Sequence, residues 1–398
     1  MNAPSWTRKV HVVHFTTVHQ RDDTRIFSKE CLSLARAGFS VTLLAPGDGR
    51  TQVLEGVTCR SLRVPRSRVL RMTLGQLRML AGILRLRADI YHFHDPELLP
   101  AALILRVIGR RVVFDSHEHI SKDLGEKAWL PVLARRAAAA VGRAIEDLAD
   151  RFMSGVVVTT AGMSNAYPTG RTAIVRNLPR LDEFTKIRPW SERDSAACYV
   201  GLLSEARGSR QIARLAARIS ARIVVAGPLP PEEARKLQEE RGWPLVEYRG
   251  VLGRGRMVSL LSEVQVGLAI LLPMQNFDDS IPTKMLEYMA AGIPVVASDF
   301  ASWRSLVGDC DSVVFIDPRD EDALARAVSA LLDNPERARQ LGQRGREFVH
   351  QRFDWEQESQ TLFQFYAGVL GVKEDALATE VSGPRDGERE RIPTQVTG

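Results

Sequence analysis

The chain has few cysteines and no long apolar segment. Its four cysteines lie far apart, at positions 31, 59, 198 and 310, with no Cys-x-x-Cys pair. This spacing argues against a structural zinc site and against a disulfide framework, and it is typical of a reducing cytosol. No apolar run reaches the roughly 18 residues that a membrane-spanning helix needs. Residues 1–9 form too short and polar a segment for a signal peptide, so we expect a cytoplasmic protein.

Acidic residues are absent from residues 60–88, which contain eight arginines. Leucines and methionines lie between the arginines, as in a basic amphipathic helix that can contact an anionic membrane surface. The alternative is a helix that packs its apolar stripe on the core and leaves its arginines in water. We expect no nucleic-acid partner, because no aromatic residue lies among the arginines and no RNA- or DNA-binding motif is present.

The order of predicted elements indicates two α/β halves. At 398 residues, the chain is long enough for two or three domains with sizeable cores. A buried strand at 10–15, an amphipathic helix at 24–37 and a strand at 41–45 predict a first βαβ unit. The segment 180–194 is polar and lacks periodicity, and a second series of strands begins at 196.

Several strands of the first half end in histidines and carboxylates. In a parallel sheet the carboxyl ends of the strands line the ligand crevice, so these side chains should lie near one edge. They are His92, His94, Asp95, His117, Glu118 and His119. Such a group can bind a metal, but neighbouring residues of an extended strand face opposite sides. We therefore predict no metal site.

The stretch 279–297 predicts a loop, a helix and a buried strand in succession. Ser280 or Thr283 can cap the helix start, and Pro282 favours entry into a first turn. Free backbone N–H groups and the helix dipole favour an anion at this point, and Lys284 adds a positive charge.

Two carboxylates flank this anion site. Asp279 precedes it, and Glu287 lies inside the helix, roughly 6 Å along the axis at ~1.5 Å per residue. The arrangement suits a diphosphate whose attached sugars donate hydrogen bonds to the two acids. A capped helix with solvated acids is the alternative that spacing alone leaves open.

The stretch 279–297 resembles the acid-x7-acid signature of retaining GT-B glycosyltransferases of family 4, also called group 1 glycosyltransferases. There, two acids are followed by Ala-x-Gly-x-Pro-Val, as found here from residue 290 onward. The resemblance implies that Asp279, where the family usually has Glu, contacts the donor sugar and that Glu287 binds the nucleotide ribose. It also implies that the helix start binds the donor through Ser280, Ile281, Pro282 and Lys284.

A second motif lies at the strand-to-helix turn 201–208. A glycine-bearing turn with a cation suits phosphate binding. The turn resembles the family form Gly-Arg-Leu-x-x-x-Lys-Gly, so Gly201 and Arg207 are predicted donor contacts. Leu202 replaces the first cation of that form, so one phosphate contact would be missing unless Lys284 or Arg210 supplies it.

The first half carries two shorter resemblances. Residues 23–30 are similar to the opening of family 4 enzymes that build bacterial surface polysaccharides, which implies that Arg25, with His19, lies on the acceptor side. A surface ion pair between Arg25 and Asp22 is the alternative. In the segment Asp-Ser-His-Glu, the resemblance implies that His117 contacts the donor sugar near the reacting carbon. It also implies that no metal is needed, because backbone amides and basic side chains neutralise the diphosphate.

Together these motifs imply a GT-B fold, with two Rossmann-like, doubly wound α/β domains that face each other across a cleft. We assign residues 1–178 to the acceptor-side domain, 179–194 to a linker, 195–352 to the nucleotide-sugar-binding domain, 353–370 to a helix crossing back and 371–398 to a disordered tail.

The implied function is retaining transfer of a sugar from a nucleotide-sugar donor to a carbohydrate or lipid-linked acceptor, in bacterial surface polysaccharide or glycoconjugate biosynthesis. Peripheral membrane contact through residues 60–88 is part of this hypothesis. Two alternatives use the same features. An inactive sugar-binding or membrane-assembly scaffold would explain Leu202 and Asp279. A GT-B nucleotide-sugar epimerase would use the acids as acid/base groups.

Overall fold

The structure is a computed structural model that describes residues 9–65, 67, 70–125, 131–273 and 280–372. Its first half contains an eight-stranded sheet of order β3-β4-β2-β1-β5-β6-β7-β8. Neighbouring strands are parallel except for β3 and β4. The strands are β1 (His11–Phe15), β2 (Ser40–Pro46), β3 (Thr51–Leu54), β4 (Val57–Leu62), β5 (Ile90–Phe93), β6 (Val112–Ser116), β7 (Gly155–Val158) and β8 (Thr172–Ile174).

The second half contains a six-stranded, wholly parallel sheet of order β11-β10-β9-β12-β13-β14. Its strands are β9 (Ala196–Val200), β10 (Arg222–Ala226), β11 (Val246–Tyr248), β12 (Val266–Ala269), β13 (Val295–Ser298) and β14 (Val313–Ile316). The two sheets lie on either side of the predicted linker.

Six α-helices accompany the first sheet in the described part of the chain. They are α1 (Leu32–Arg36), α2 (Gln76–Leu84), α3 (Leu99–Val107), α4 (Ile120–Gly125), α5 (Val132–Phe152) and α6 (Ala161–Ser164). A π-helical segment, Thr24–Cys31, leads directly into α1, and Asp23 caps its start by accepting from the N–H groups of Arg25 and Ile26. The predicted helix at 24–37 is therefore present, but it begins in π-helical geometry.

The helices that follow in the chain are α7 (Ser209–Ala216), α8 (Pro231–Gln238), α9 (Arg254–Glu263), α10 (Thr283–Ala290), α11 (Ala301–Val307), α12 (Glu321–Leu332), α13 (Pro335–Arg352) and α14 (Trp355–Leu370). The last of them packs on the first half. Trp355 and Tyr366 lie in the core beside α1, and the indole of Trp355 donates to Ser33 Oγ over 2.9 Å.

Helices cover both faces of each sheet. In β1, Val12 packs with α1 and α14, whereas its neighbour Val13 packs with α2 and α3. The second sheet divides in the same way, with α9, α10 and α11 on one face and α7 and α12 on the other. Strands covered on both faces are buried along their length, which explains their continuous apolar runs. The predicted pair of Rossmann-like halves is confirmed.

The chain order reverses between β1 and β5 in the first sheet and between β9 and β12 in the second. Parallel α/β sheets bind ligands at such reversals, beyond the carboxyl ends of the strands. Both reversals place their strand ends beside the same interdomain cleft. The fold thereby brings the two groups of predicted site residues together.

Residues 60–88 do not form one helix. The first of them belong to β4, and the helical part consists of Arg71–Gly75 and α2. Met79 and Ile83 are buried in the core, as the packing alternative requires. The exposed apolar side chains, which that alternative does not explain, are Leu70, Met72, Leu74, Leu77 and Leu84. Across the described ranges, we find no helix whose length and apolar content would let it cross a membrane.

Candidate active site

A cleft of about 660 Å³ lies between the two halves. The first half contributes Asp23 and Arg25 at the start of the π-helical segment and His117 and His119 from the loop after β6. The second half contributes Arg207 and the start of α10, with Ser280, Ile281, Pro282, Thr283 and Lys284. Asp279, the predicted sugar contact, lies outside the described residues.

The start of α10 opens onto the cleft. The N-cap residue is Pro282, which precedes the first helical residue and offers no side-chain hydrogen bond to the helix. The predicted caps are therefore wrong, because Thr283 lies inside the helix and its hydroxyl donates to the carbonyl of Asn177 over 3.1 Å. This hydrogen bond joins the start of α10 to the segment between the two sheets. An uncapped helix start is a site for an anion.

Lys284 lies in the wall of the cleft. Its Nζ donates to the hydroxyl of Tyr199 over 2.8 Å. Burial and, to a smaller extent, the charge of Arg207 lower the pKa of Lys284 to about 7, although Glu287 acts in the opposite direction. An anion in the cleft would oppose this shift, since an opposite charge favours the protonated amine.

Gly201 makes room for the lysine. It adopts φ 144°, and a Cβ at this position would lie 2.6 Å from Lys284 Nζ. The positive φ therefore favours glycine here, and a Cβ would displace the end of the Lys284 side chain. Arg207 lies at the end of the same turn and lines the cleft. Of the two compensating cations considered from the sequence, Lys284 lies in the cleft, whereas the charge of Arg210 acts on Glu240.

Glu287 is held by an arginine behind the cleft. Its Oε1 lies 2.7 Å from Arg254 Nη1, and Arg254 also donates to Glu183. This ion pair fixes the carboxylate of Glu287 one turn inside α10, where Glu287 is buried and lies behind the residues that line the cleft. Its contact with a ribose stays a prediction.

His117 follows β6 and is oriented from behind by Asp115. The distance from His117 Nε2 to Asp115 Oδ2 is 2.9 Å. Arg25 donates to the same carboxylate through Nε at 3.0 Å and Nη2 at 2.9 Å. Burial alone would raise the pKa of Asp115, but Arg25 and His117 hold it well below its usual range. Asp115 is therefore a carboxylate that fixes one nitrogen of His117 and leaves Nδ1 for a ligand.

Arg25 and His19 lie close to this pair. The guanidinium of Arg25 is buried and binds Asp115 and the carbonyl of Val175, so the surface ion pair considered from the sequence is wrong. His19 Nδ1 lies 3.0 Å from Asp23 Oδ2, and its ring centre is 5.3 Å from that of His117. Burial lowers the pKa of His19, but the hydrogen bond with Asp23 and the charges of Asp23, Asp95 and Asp115 together raise it above its usual value. The acceptor roles of Arg25 and His19 stay predictions.

The predicted cluster of histidines forms only in part. His94 Nδ1 lies 3.3 Å from His117 Nε2, and His92 packs on His94, whereas Asp95 turns away to bind the hydroxyl of Thr16. Burial lowers the pKa of His92 and His94, so both are neutral imidazoles.

Sequence reasoning missed His14 and Asp115. His14 is a polar residue inside an apolar strand, where nothing marks its partner. Asp115 could have been found, because residues i and i+2 of a strand share a face and His117 follows at that spacing.

Comparison with known families settles the class of protein. Residues 25–176 match the model of the Glycosyl transferase 4-like domain, and residues 207–364 match the model described as Glycosyl transferase-like. Together they span well over half of the chain. It belongs to the family 4-like, group 1 glycosyltransferases of the GT-B fold. This assignment favours sugar transfer over the scaffold and epimerase alternatives.

The glycosyltransferase has relatives at low identity, one of which matches over most of both chains. It is 24% identical over 88% of its chain to the phosphatidyl-myo-inositol mannosyltransferase of Mycolicibacterium smegmatis, and the match covers 90% of that protein. It is 25% identical over 65% of its chain to the putative glycosyltransferase EpsD of Bacillus subtilis, with 71% of that protein covered.

Solved structures confirm the GT-B fold of this glycosyltransferase. The sucrose-phosphate synthase of Thermosynechococcus elongatus superposes with a TM-score of 0.75 at 17% identity, covering 91% of this chain and 100% of that one. HepE of Anabaena, solved with UDP and glucose, superposes with a TM-score of 0.69 at 15% identity. The match covers 89% of this chain and 99% of HepE.

Proposed function

We propose that this glycosyltransferase transfers a sugar, with retention of configuration, from a nucleotide-sugar donor bound by the second half to an acceptor bound by the first. One observation carries the proposal. The cationic start of α10 and the oriented imidazole of His117 come from different halves and line the same cleft. An anionic leaving group and a sugar can therefore lie side by side between them.

The donor diphosphate binds at the start of α10 in this account. Backbone N–H groups, Lys284 and Arg207 stabilise the negative charge that develops as the sugar departs. Because these groups neutralise the diphosphate, the reaction needs no divalent cation at the donor site. Glu287 binds the ribose, and Asp279 orients the sugar.

His117 acts on the sugar rather than on the diphosphate. Its Nε2 is occupied by Asp115, so Nδ1 is the nitrogen that can accept a hydrogen bond from a sugar hydroxyl. The acceptor enters from the first half, where His19 and Arg25 lie. Closure of the two halves then excludes water from the reacting carbon.

The acceptor is a carbohydrate or a lipid-linked sugar in bacterial surface polysaccharide or glycoconjugate biosynthesis. Two observations support a lipid-linked acceptor. A full-length relative carries the name phosphatidyl-myo-inositol mannosyltransferase. The surface of Arg71–Gly75 and α2 exposes leucines and methionines among arginines, which suits peripheral contact with an anionic membrane.

A product assay tests this proposal. Donor nucleotide sugars are incubated with the enzyme and lipid-linked or oligosaccharide acceptors, and proton NMR follows the anomeric signals. The proposal predicts release of one nucleoside diphosphate per glycosidic bond, the donor's anomeric configuration in the product, and no acceleration by Mg²⁺ or Mn²⁺. An inverted product would contradict retention, and strict dependence on added Mg²⁺ or Mn²⁺ would contradict the cationic donor site.

A further inference from the structure

A buried group of three histidines and one glutamate lies where the central strands β1 and β5 of the first sheet meet the π-helical segment. His14 is in β1, His92 and His94 are at the end of β5, and Glu30 is in the π-helical segment Thr24–Cys31. Each of the four is at most 3% exposed. One nitrogen or carboxylate oxygen from each lies within 4.8 Å of the others.

Protein hydrogen bonds leave this group incompletely satisfied. Within the described residues, neither carboxylate oxygen of Glu30 has a hydrogen-bond partner, and neither does His92 Nε2. Arg25 Nε lies 3.2 Å from Glu30 Oε1, but the guanidinium is aligned on Asp115 with two hydrogen bonds. One guanidinium therefore lies beside two buried carboxyl groups. A buried carboxylate without its own counter-charge is costly.

The orientation of His94 points to what the group could bind. Its Nδ1 faces the carboxylate of Asp115 at 3.2 Å, so its Nε2 faces His14 Nδ1 at 3.0 Å. A carboxylate behind one nitrogen and a ligand in front of the other is the usual arrangement of a metal-bound histidine. The distance from His14 Nδ1 to Glu30 Oε2 is 3.7 Å. Both distances are close to the roughly 3.3–3.6 Å expected between ligands of a tetrahedral ion with bonds of about 2.0–2.2 Å. The other ligand pairs, which are up to 4.8 Å apart, would move closer together when the ion binds.

We propose that His14, Glu30, His92 and His94 form a closed site for one divalent transition-metal ion, zinc in the first instance. Neutral imidazoles and a carboxylate are zinc ligands, and four protein ligands without an open position are typical of a structural site. The ion would join β1, β5 and the π-helical segment behind the Arg25–Asp115 pair. The sequence-based expectation of no metal considered a different set, which lacked His14 and Glu30.

Metal analysis of the full chain, produced without a polyhistidine tag, tests the site. Mass spectrometry gives the metal content after dialysis, and a competition titration with a zinc indicator gives the affinity. We expect about one tightly bound zinc ion per chain and a higher thermal unfolding midpoint with zinc than without. Stoichiometric iron, nickel or copper would support the site with another ion.

Variants assign the ion to these residues. Glu30→Gln and His92→Gln should abolish stoichiometric binding, and Asp115→Asn should weaken it by about 10- to 100-fold. His350→Gln removes one histidine from α13 and should bind zinc like the wild type. A wild-type protein that holds no metal after dialysis and takes up no stoichiometric zinc in the titration would overturn the proposal. This result does not depend on whether the variants fold, because the wild-type measurement alone decides it.

Discussion

The charge of Lys284 should couple donor binding to pH. With a pKa of about 7 in the empty cleft, this lysine is largely neutral at pH 8, and the charges facing it are those of Arg207 and Glu287. A bound diphosphate favours the protonated form, so binding takes up a proton above pH 7. We expect the affinity for a nucleoside diphosphate to fall by on the order of tenfold per unit between pH 7 and 9.

Calorimetry over this pH range, in buffers of different ionisation heat, measures both the affinity and the proton uptake. Lys284→Arg is the matched control, because its charge does not titrate. It should bind with little dependence on pH. An equal decline in both proteins would show that another group carries the effect.

Asp115 should be a positioning residue for His117. Asp115→Asn removes the charged acceptor that fixes Nε2, so we expect kcat to fall by roughly 100-fold while the dissociation constant of the donor changes little. Asp150→Asn is the control, since Asp150 is a buried carboxylate that accepts from Thr169 on another part of the first half. A loss confined to thermal stability, with unchanged kcat, would contradict this role.

The histidine was found from the sequence, but its partners were not. A motif marks His117, whereas the pair between Arg25 and Asp115 joins residues 90 positions apart. Spacing along the chain carries no information about such a contact. The resemblance therefore placed Arg25 at the acceptor, although its guanidinium binds a buried carboxylate.

For helices and strands, the local sequence predicts the order of the elements better than the contacts at their ends. Gly292 adopts φ 70° after α10, and the apolar run that follows forms β13, as the sequence indicated. The start of α10 was predicted less well. Thr283 binds the distant carbonyl of Asn177 and therefore does not cap its own helix. The hydrogen bond from Thr283 to Asn177 therefore takes the place of the local capping hydrogen bond that the sequence favours.

The turn before α7 should tolerate no side chain at Gly201. Gly201→Ala adds a Cβ 2.6 Å from Lys284 Nζ at a φ of 144°, so we expect a loss of about 1–3 kcal/mol in stability and weaker donor binding. Gly253→Ala is the control, because a Cβ there has no atom within 4 Å. Thermal unfolding and nucleotide titration measure both effects. Unchanged nucleotide affinity in Gly201→Ala would contradict the role of Lys284.

The surface of Arg71–Gly75 and α2 should bind anionic vesicles. Replacing Met72 and Leu77 with Asp removes two exposed apolar side chains and adds two negative charges, which should reduce binding to vesicles that contain phosphatidylserine. Sedimentation of the protein with vesicles measures the bound fraction. Leu245→Asp, an exposed leucine of the second half, should bind like the wild type. Equal binding by all proteins would contradict peripheral docking through this surface.

For the whole molecule, the repeated α/β pattern is sufficient to predict two halves. It does not predict which residues of the two halves contact each other. Asn177 lies between the sheets, where its side-chain oxygen accepts from Lys29 over 2.6 Å and its carbonyl accepts from Thr283. One residue thus contacts the π-helical segment of the first half and α10 of the second. These contacts define the cleft, and they depend on how two folded halves meet.

The central claim is that the start of α10 binds the donor diphosphate. Calorimetric titration of UDP, GDP and their sugar conjugates, without added metal and at two salt concentrations, tests it most directly. We expect one nucleotide to bind, and we expect Lys284→Ala and Arg207→Ala each to weaken its binding by about tenfold or more. The nucleotide affinity should not change in Arg339→Ala, which removes an exposed arginine paired with Glu336. Binding that is equal in all four proteins, or absent for every nucleotide, would contradict the central claim.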